Sequence, residues 1–303
     1  MMPPIADGVH VHVDMPASEY HADPCPKPSL SSTRARAMVI DGCALMGRPG
    51  VGDIDEHTKA KDEGALFHEL LLLDSSEDVE ILDYANYRTK AAQTARREAR
   101  DRGKVPILRK EWESMVMTAA GIKANLEART CDGDPAPVYL QHAPDRGRYS
   151  ELTILHQLTT THAGPIWVRA RLDHVEFRRG GIIAYDLKVR SKRGDAHPRK
   201  MAENIAREGY AVQSACYTEA LEAAFPAYAG RVVWVWVFVE SKPPYAVTAA
   251  EQDGLFKAHG VRLWREACEA WARGVHLDEW PGYYQPPILG APGWLEHKEN
   301  QHG

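Results

Sequence analysis

The sequence predicts a mixed α/β fold, a central β-sheet flanked by helices, behind a helical N-terminal half. Three observations carry this. Apolar, strand-like runs at about 149–157, 166–177 and 181–189 follow one another, parted by turn signals at Ala163-Gly164-Pro165 and Arg179-Gly180-Gly181. A fourth run, Arg231-Val-Val-Trp-Val-Trp-Val-Phe-Val-Glu240, stands apart from them behind a long helical segment. Before residue 130 the periodicity is mostly helical.

Taken in order, residues 1–30 are rich in proline and polar side chains and read as an arm with a short strand. Ser29 to Met38 looks like a helix start, with serines suited to capping ahead of helix formers. Gly47 to Gly52 reads as loop, and a helix pattern runs from Ala60 through Leu73. Helices are expected at about 90–102 and 110–128, separated by Gly103 to Leu108, and Thr130 to Gly147 reads as linker. After the three strands come a helix at about 198–224, the strand 231–240 and a helix at about 248–274. The expected division is an arm (1–30), one domain over 31–295 with a helical part (31–130) and a core (148–275), and a tail (296–303). There is no internal repeat.

Composition narrows the classes. The 303 residues suffice for a sizeable core, and 44% hydrophobic with 26% charged residues is ordinary for a globular protein. A net charge of −5 argues against binding nucleic acid with the whole surface but is compatible with a local basic groove. No apolar run reaches the roughly 20 residues of a membrane span, and the N-terminus lacks a secretory pattern, so the expected location is cytoplasmic. Five scattered cysteines without a close pair argue against a disulfide framework or an iron–sulfur cluster.

The chemistry concentrates between Ile166 and Tyr217. Asp173 interrupts one apolar run, and Asp186 and Lys188 interrupt the next. Residues i and i+2 of a strand share a face, so Asp186 and Lys188 project together, and a hairpin would bring Asp173 to them. Alone, a D-x-K triplet reads more readily as a solvated strand end. Three charges on neighbouring apolar strands need each other or a metal, because an unpartnered buried charge costs several kcal/mol. Hard oxygen donors suit Mg²⁺ or Mn²⁺, and a lysine beside them suits activation of a water, as in phosphodiester cleavage. Glu151, expected at the start of the preceding strand, is a further candidate. His68, on an apolar helix, reads by itself as an ordinary core histidine. Gln213 and Tyr217 share one helix face at i, i+4.

Gly64-x-x-x-His68, Glu151, Asp173, Asp186-x-Lys188 and Gln213-x-x-x-Tyr217, in this order, resemble the PD-(D/E)XK nuclease superfamily. The resemblance is nearest to its RecE-type, RecB-like and YqaJ-like exonuclease branch. Glu19-Tyr-His-Ala-Asp23 with Leu30-Ser-Ser32, Val239 to Tyr245, and Trp280-Pro-Gly-Tyr283 look like parts of the RecE C-terminal nuclease domain. The resemblance spans about residues 10–295 and implies a restriction-endonuclease-like core. It also implies that His68, Asp173, Asp186 and the backbone carbonyl of Leu187 hold metal, with Glu151 as an additional candidate. Lys188 would position or deprotonate the attacking water, and a cation beside it would lower its pKa. Gln213 and Tyr217 would orient the scissile strand or the lysine. Val189-Arg-Ser departs from the threonine pair frequent among relatives.

The resemblance thus implies a Mg²⁺-dependent deoxyribonuclease, with Mn²⁺ able to substitute, acting on linear double-stranded DNA from its ends, 5′ to 3′, in phage or prophage recombination. The implied partners are DNA, a single-strand annealing protein and further copies of the chain in a ring. Alternatives are a structure-specific or single-strand nuclease of repair or defence, and a non-catalytic DNA-end adaptor. Six Lys or Arg against one Asp between Lys188 and Lys200 make Arg190, Lys192 and Arg193 candidate DNA contacts, with Ser32 and Arg34 from the N-terminal motif. A second basic run, eight Lys or Arg between Lys90 and Lys110, reads in part as a solvated face.

Overall fold

A computed structural model describes residues 2–40, 42–51 and 59–283. Gly52, the expected domain end at 295 and the tail 296–303 lie outside the described residues. The chain opens with β1 (His10–His12), α1 (Ala17–His21) and β2 (Ser29–Ser31), which runs directly into α2 (Ser32–Ile40). Helix α3 (Lys59–His68) continues as a π-helical stretch, Glu69–Leu73. Then come β3 (Val79–Leu82), α4 (Lys90–Asp101), β4 (Val105–Leu108), α5 (Arg109–Glu127) and a short hairpin of β5 (Thr130–Cys131) and β6 (Asp134–Pro135). The second half holds β7 (Arg148–Thr159), β8 (Pro165–Arg178), β9 (Gly181–Arg190), α6 (Pro198–Arg207) and α7 (Tyr210–Ala224). It ends with β10 (Val232–Glu240), β11 (Val247–Glu251) and α8 (Gly254–Leu277).

The main sheet is mixed, in the order β1-β7-β8-β9-β10-β11. The three expected strands β7, β8 and β9 form an antiparallel meander, while β10 lies parallel to β9 after the α6–α7 crossover. Alternation along β9 sorts its side chains: Ile182 and Ala184 join the core beneath α2, α7 and α8, which includes Trp236, Trp264 and Trp271. Tyr185 and Leu187 join the opposite core, with Phe67, Leu70, Leu71, Ile122 and Leu126. Asp186 and Lys188 therefore project on the α7 side.

One departure from regular pairing matters for function. The β8–β9 ladder ends at His174↔Tyr185. Nearer its own start, β8 pairs with β2, Ser29–Ser31 lying parallel to Trp167–Arg169. A strand has two hydrogen-bonding edges, and β7 holds one of them along the length of β8. β9 and β2 thus share the other edge, and Asp173 lies in the fork between them.

The structure corrects four elements of the sequence reading. Ser29–Ser31 is a strand, and the helix begins at Ser32. The region between the two middle helices contains β4, which pairs with β3 in a small parallel sheet; its four-residue strands are too short to show a period. The 198–224 helix breaks at Gly209, whose φ is +66° and where a Cβ would come within 2.5 Å of Ile40 Cγ1. Residues 247–251 form the edge strand β11, and α8 starts only after Asp253, whose carboxylate accepts the Phe256 N–H at 2.9 Å.

Candidate active site

β7 and β8 are regular on either side of one step. Ser150 pairs with His174 and Leu152 with Leu172, leaving Glu151 and Asp173 between them. Glu151 has φ of +54°, a left-handed conformation that costs a non-glycine residue about 1–2 kcal/mol. The alternation of both strands slips here: Tyr149 and Leu152 face one core, as do Leu172 and Val175. The slip aims the Glu151 and Asp173 carboxylates at one point. His68 reaches that point from the last α-helical turn before the π stretch, an irregularity frequent at functional sites. One ligand atom from each of His68, Glu151 and Asp173 lies within 4.8 Å of the others.

His68 Nδ1 is 3.0 Å from Glu151 Oε1, and its Nε2 is 3.7 Å from Asp173 Oδ2. Asp173 Oδ2 accepts the Leu187 backbone N–H at 2.7 Å, replacing the bond that β8 would have supplied without the fork. Asp186 is fully buried; its Oδ2 accepts from Gln213 Nε2 at 2.6 Å. Its Oδ1 has no well-directed hydrogen bond but lies against the Lys188 ammonium. That ammonium also sits over the rings of Tyr210, at 4.9 Å, and Trp236, at 5.7 Å. The hairpin thus brings Asp173, Asp186 and Lys188 together, and the structure adds His68, Glu151 and Gln213 to them.

Proton affinities follow from this crowding. Burial alone would lower the His68 pKa, but the Asp173 and Glu151 carboxylates outweigh it and hold the imidazole at about 9. Burial would raise the Glu151 carboxyl, yet His68 and Arg171 bring it below its ordinary value. Burial lifts the Asp186 carboxyl to about 7 against the pull of the Lys188 ammonium, and the Asp173 charge adds to the rise. Burial opposes the charged form of Lys188, but Asp186 and Asp173 more than compensate, so its pKa is raised. Two carboxylates dominate the field at the lysine, and the lowering expected beside a bound cation belongs to the occupied site.

Tyr217 lies one turn beyond Gln213 in α7 but is turned toward the N-terminal segment: its hydroxyl accepts from Ser32 Oγ at 3.2 Å, and its ring packs edge-on against Trp234. Ser32, expected at DNA, is buried in that bond. Arg34 donates to the Gly47 carbonyl at 2.9 Å and lies over Trp271. Both side chains are engaged inside the molecule, whereas Lys192 and Arg193 are exposed. Arg190 stacks over Phe238 at the end of β9.

Several residues escaped the sequence reading. Glu240, buried at the end of β10, accepts the backbone N–H groups of Gly194, at 2.7 Å, and Ala196, at 3.1 Å, and so shapes the basic loop after β9. Arg169 joins Asp23 at 2.7 Å and Ser29 Oγ at 2.6 Å, clamping β2 to β8. Arg171 donates to Glu151 Oε2 at 2.6 Å. The signal was present: each is a charge interrupting or ending an apolar run, the criterion that singled out Asp173.

Carboxylate oxygens and one imidazole converge on a partly buried point, and Asp186 Oδ1 lacks a directed donor. This donor set fits a hard divalent cation. Comparison with known proteins agrees with that chemistry. A family model for the PD-(D/E)XK nuclease superfamily matches residues 42–284. Among solved structures, the chain superposes on the "Putative exonuclease" of Eubacterium rectale with a TM-score of 0.52 and 12% identity, over 93% of this chain and 96% of that one. At that identity the likeness establishes the fold. SSO0001 aligns over 83% of this chain and 81% of its own at 10% identity, with a TM-score of 0.32 that carries no argument. No curated protein matches the sequence.

Proposed function

The chain belongs to the PD-(D/E)XK nuclease superfamily, and from that premise we propose that it is an exodeoxyribonuclease that degrades linear double-stranded DNA from its ends. The observation that carries this reading is the convergence of His68, Glu151 and Asp173 at the β8–β9 fork, with the Asp186–Lys188 pair on the adjoining strand and the basic 190–193 segment continuing from it. In it, His68 Nε2, Asp173, Asp186 and the Leu187 carbonyl would hold Mg²⁺, for which Mn²⁺ could substitute. In an antiparallel ladder a residue's N–H and C=O serve the same neighbour. The Leu187 carbonyl therefore faces the fork, where its N–H already meets Asp173. Bound there, such an ion would supply Lewis-acid polarisation of the phosphate and a lowered pKa for water.

The chain's own groups supply the rest. Gln213 fixes Asp186 by one oxygen, which leaves the other for the cation and Lys188. Lys188 Nζ, steered by Tyr210 and Trp236, orients the attacking water, and would take up its proton only as the free amine, its own proton having passed to solvent when a cation binds beside it. Arg190, Lys192 and Arg193 hold the backbone of the incoming strand. Tyr217, through Ser32, ties α7 to the β2–α2 junction beside the site.

On this reading residues 31–295 form one nuclease domain, and the product is a single-stranded tail, 5′ to 3′ resection leaving the other strand for an annealing protein. Ring assembly of several copies would enclose the duplex. Among the described residues no helix is long and apolar enough to cross a membrane, and a DNA substrate points to the cytoplasm. The test is digestion of end-labelled linear duplex, linear single strand and covalently closed circular DNA, with Mg²⁺ and with EDTA. Progressive nucleotide release from linear duplex in Mg²⁺ alone is expected. Rapid linearisation of closed circles would replace the reading with an endonuclease, and end binding without cleavage of any form would replace it with an adaptor.

A further inference from the structure

Arg171 lies on β8 two residues before Asp173, and its guanidinium reaches in two directions. Nε donates to Glu151 Oε2 at 2.6 Å, and Nη1 donates to the backbone carbonyl of Met15, also at 2.6 Å. The side chain is 16% exposed and the Glu151 side chain 13%, so little water competes for either group. Met15 is itself buried, in a small cluster with Tyr20 and Leu155. One end of the guanidinium is thus anchored on the N-terminal arm.

Glu151 uses both its oxygens. Oε2 takes Arg171, and Oε1 meets His68 Nδ1 at 3.0 Å. With Nδ1 engaged by the carboxylate, Nε2 is the nitrogen turned to Asp173. A carboxylate holding one nitrogen of an imidazole while the other coordinates is a recurrent arrangement that fixes ring orientation and raises ligand basicity. Glu151 does this from a left-handed backbone conformation, φ +54°, which its surroundings must sustain. A guanidinium fork gripping that carboxylate and a backbone carbonyl together is the rigid support such a residue requires.

We infer that Arg171 is a positioning residue for the metal site, acting through Glu151 on the orientation of His68 and tying that orientation to the docked N-terminal arm at Met15. Asp173 and Asp186 make the site attractive to a cation; Arg171 and Glu151 decide where the imidazole stands when it arrives. The inference rests on the metal-site reading above, and its test separates the two.

The experiment is Mn²⁺ titration by calorimetry of the full chain and of Arg171→Gln and Arg171→Lys. It is paired with the proton resonance of His68 Nδ1–H in the metal-free protein, identified by its loss in His68→Gln. Arg171→Gln should weaken Mn²⁺ binding about 10- to 100-fold, the usual effect of removing an outer-shell partner. It should also broaden or shift the Nδ1–H signal. Arg171→Lys keeps the charge but can serve only one of the two acceptors, so its loss should be smaller; it also decides the matter should the glutamine variant fail to fold. Wild-type Mn²⁺ affinity and an unmoved His68 signal in a folded variant would overturn the inference alone. Absence of Mn²⁺ binding by the unaltered protein would overturn the metal site, and this inference with it.

Discussion

Glu151 and Asp173 stand opposite each other on β7 and β8 at the one step between Ser150↔His174 and Leu152↔Leu172 where regular pairing lapses, and Glu151 is left-handed there. If that conformation is strained, glycine should tolerate it better than alanine once the carboxylate is gone. Both Glu151→Ala and Glu151→Gly lose the bonds to His68 and Arg171 and should be less stable than the parent. The glycine variant should nonetheless exceed the alanine variant by about 1 kcal/mol, since alanine retains the Cβ penalty. Urea unfolding without metal measures this; an alanine variant equal to or more stable than the glycine one contradicts it.

How much of this site could be read in advance depends on the kind of signal. Asp173, Asp186 and Lys188 were legible because strand periodicity is local and a charge in an apolar run stands out. Gln213 was legible as a helix-face residue, but its partner, Asp186, was not, since that contact depends on how α7 lies across the sheet. Glu151 read as a strand-start glutamate; its place inside β7 at an irregular step is a property of two strands together. The β2–β8 pairing was hidden because three residues, Ser29–Ser31, carry no period, and their serines also suit a helix cap. Arg169 and Arg171 show the limit from the other side: their charges were visible, but which carboxylate each meets was not.

Burial also sets an acid limit. His156, on β7, is 1% exposed with Nε2 unpartnered, and burial pushes its pKa down to about 4. Unfolding returns it to about 6.5, so between these values the unfolded chain binds the extra proton and stability falls as pH falls. The contribution is intact above about pH 6.5 and is lost progressively toward pH 4. At pH 5 it amounts to about 2 kcal/mol relative to pH 7. His156→Leu should remove that part of the pH dependence in urea midpoints compared at pH 7 and pH 5. An unchanged difference between the two pH values would show that His156 does not stay neutral in the fold. His174, also buried and held down to about 3 by burial with help from Arg148 and His142, should preserve a further component in the variant.

Glu240 gives a handle on DNA binding that leaves the catalytic side chains untouched. Its carboxylate collects the Gly194 and Ala196 N–H groups, so Glu240→Ala should free the loop that follows Arg190. The expected result is weaker duplex binding with cleavage at saturating DNA largely kept, and partial rescue in Glu240→Gln, which keeps an accepting oxygen. Neutralising Arg190, Lys192 and Arg193 together should flatten the salt dependence of binding, the slope falling by about 0.9 for each phosphate no longer neutralised. A salt slope identical to that of the parent protein would remove this segment from the DNA interface.

The account turns on whether the Asp186–Lys188 pair performs chemistry or merely balances a buried charge. The most direct measurement is single-turnover cleavage of end-labelled linear duplex by Lys188→Ala, alongside its Mn²⁺ affinity by calorimetry. Lys188 is assigned to the water and not to holding the ion, so Mn²⁺ binding should persist while cleavage falls by about 10²- to 10⁴-fold, the range expected for loss of a proton-transfer group. Near wild-type cleavage by a folded, Mn²⁺-binding Lys188→Ala protein would contradict the account.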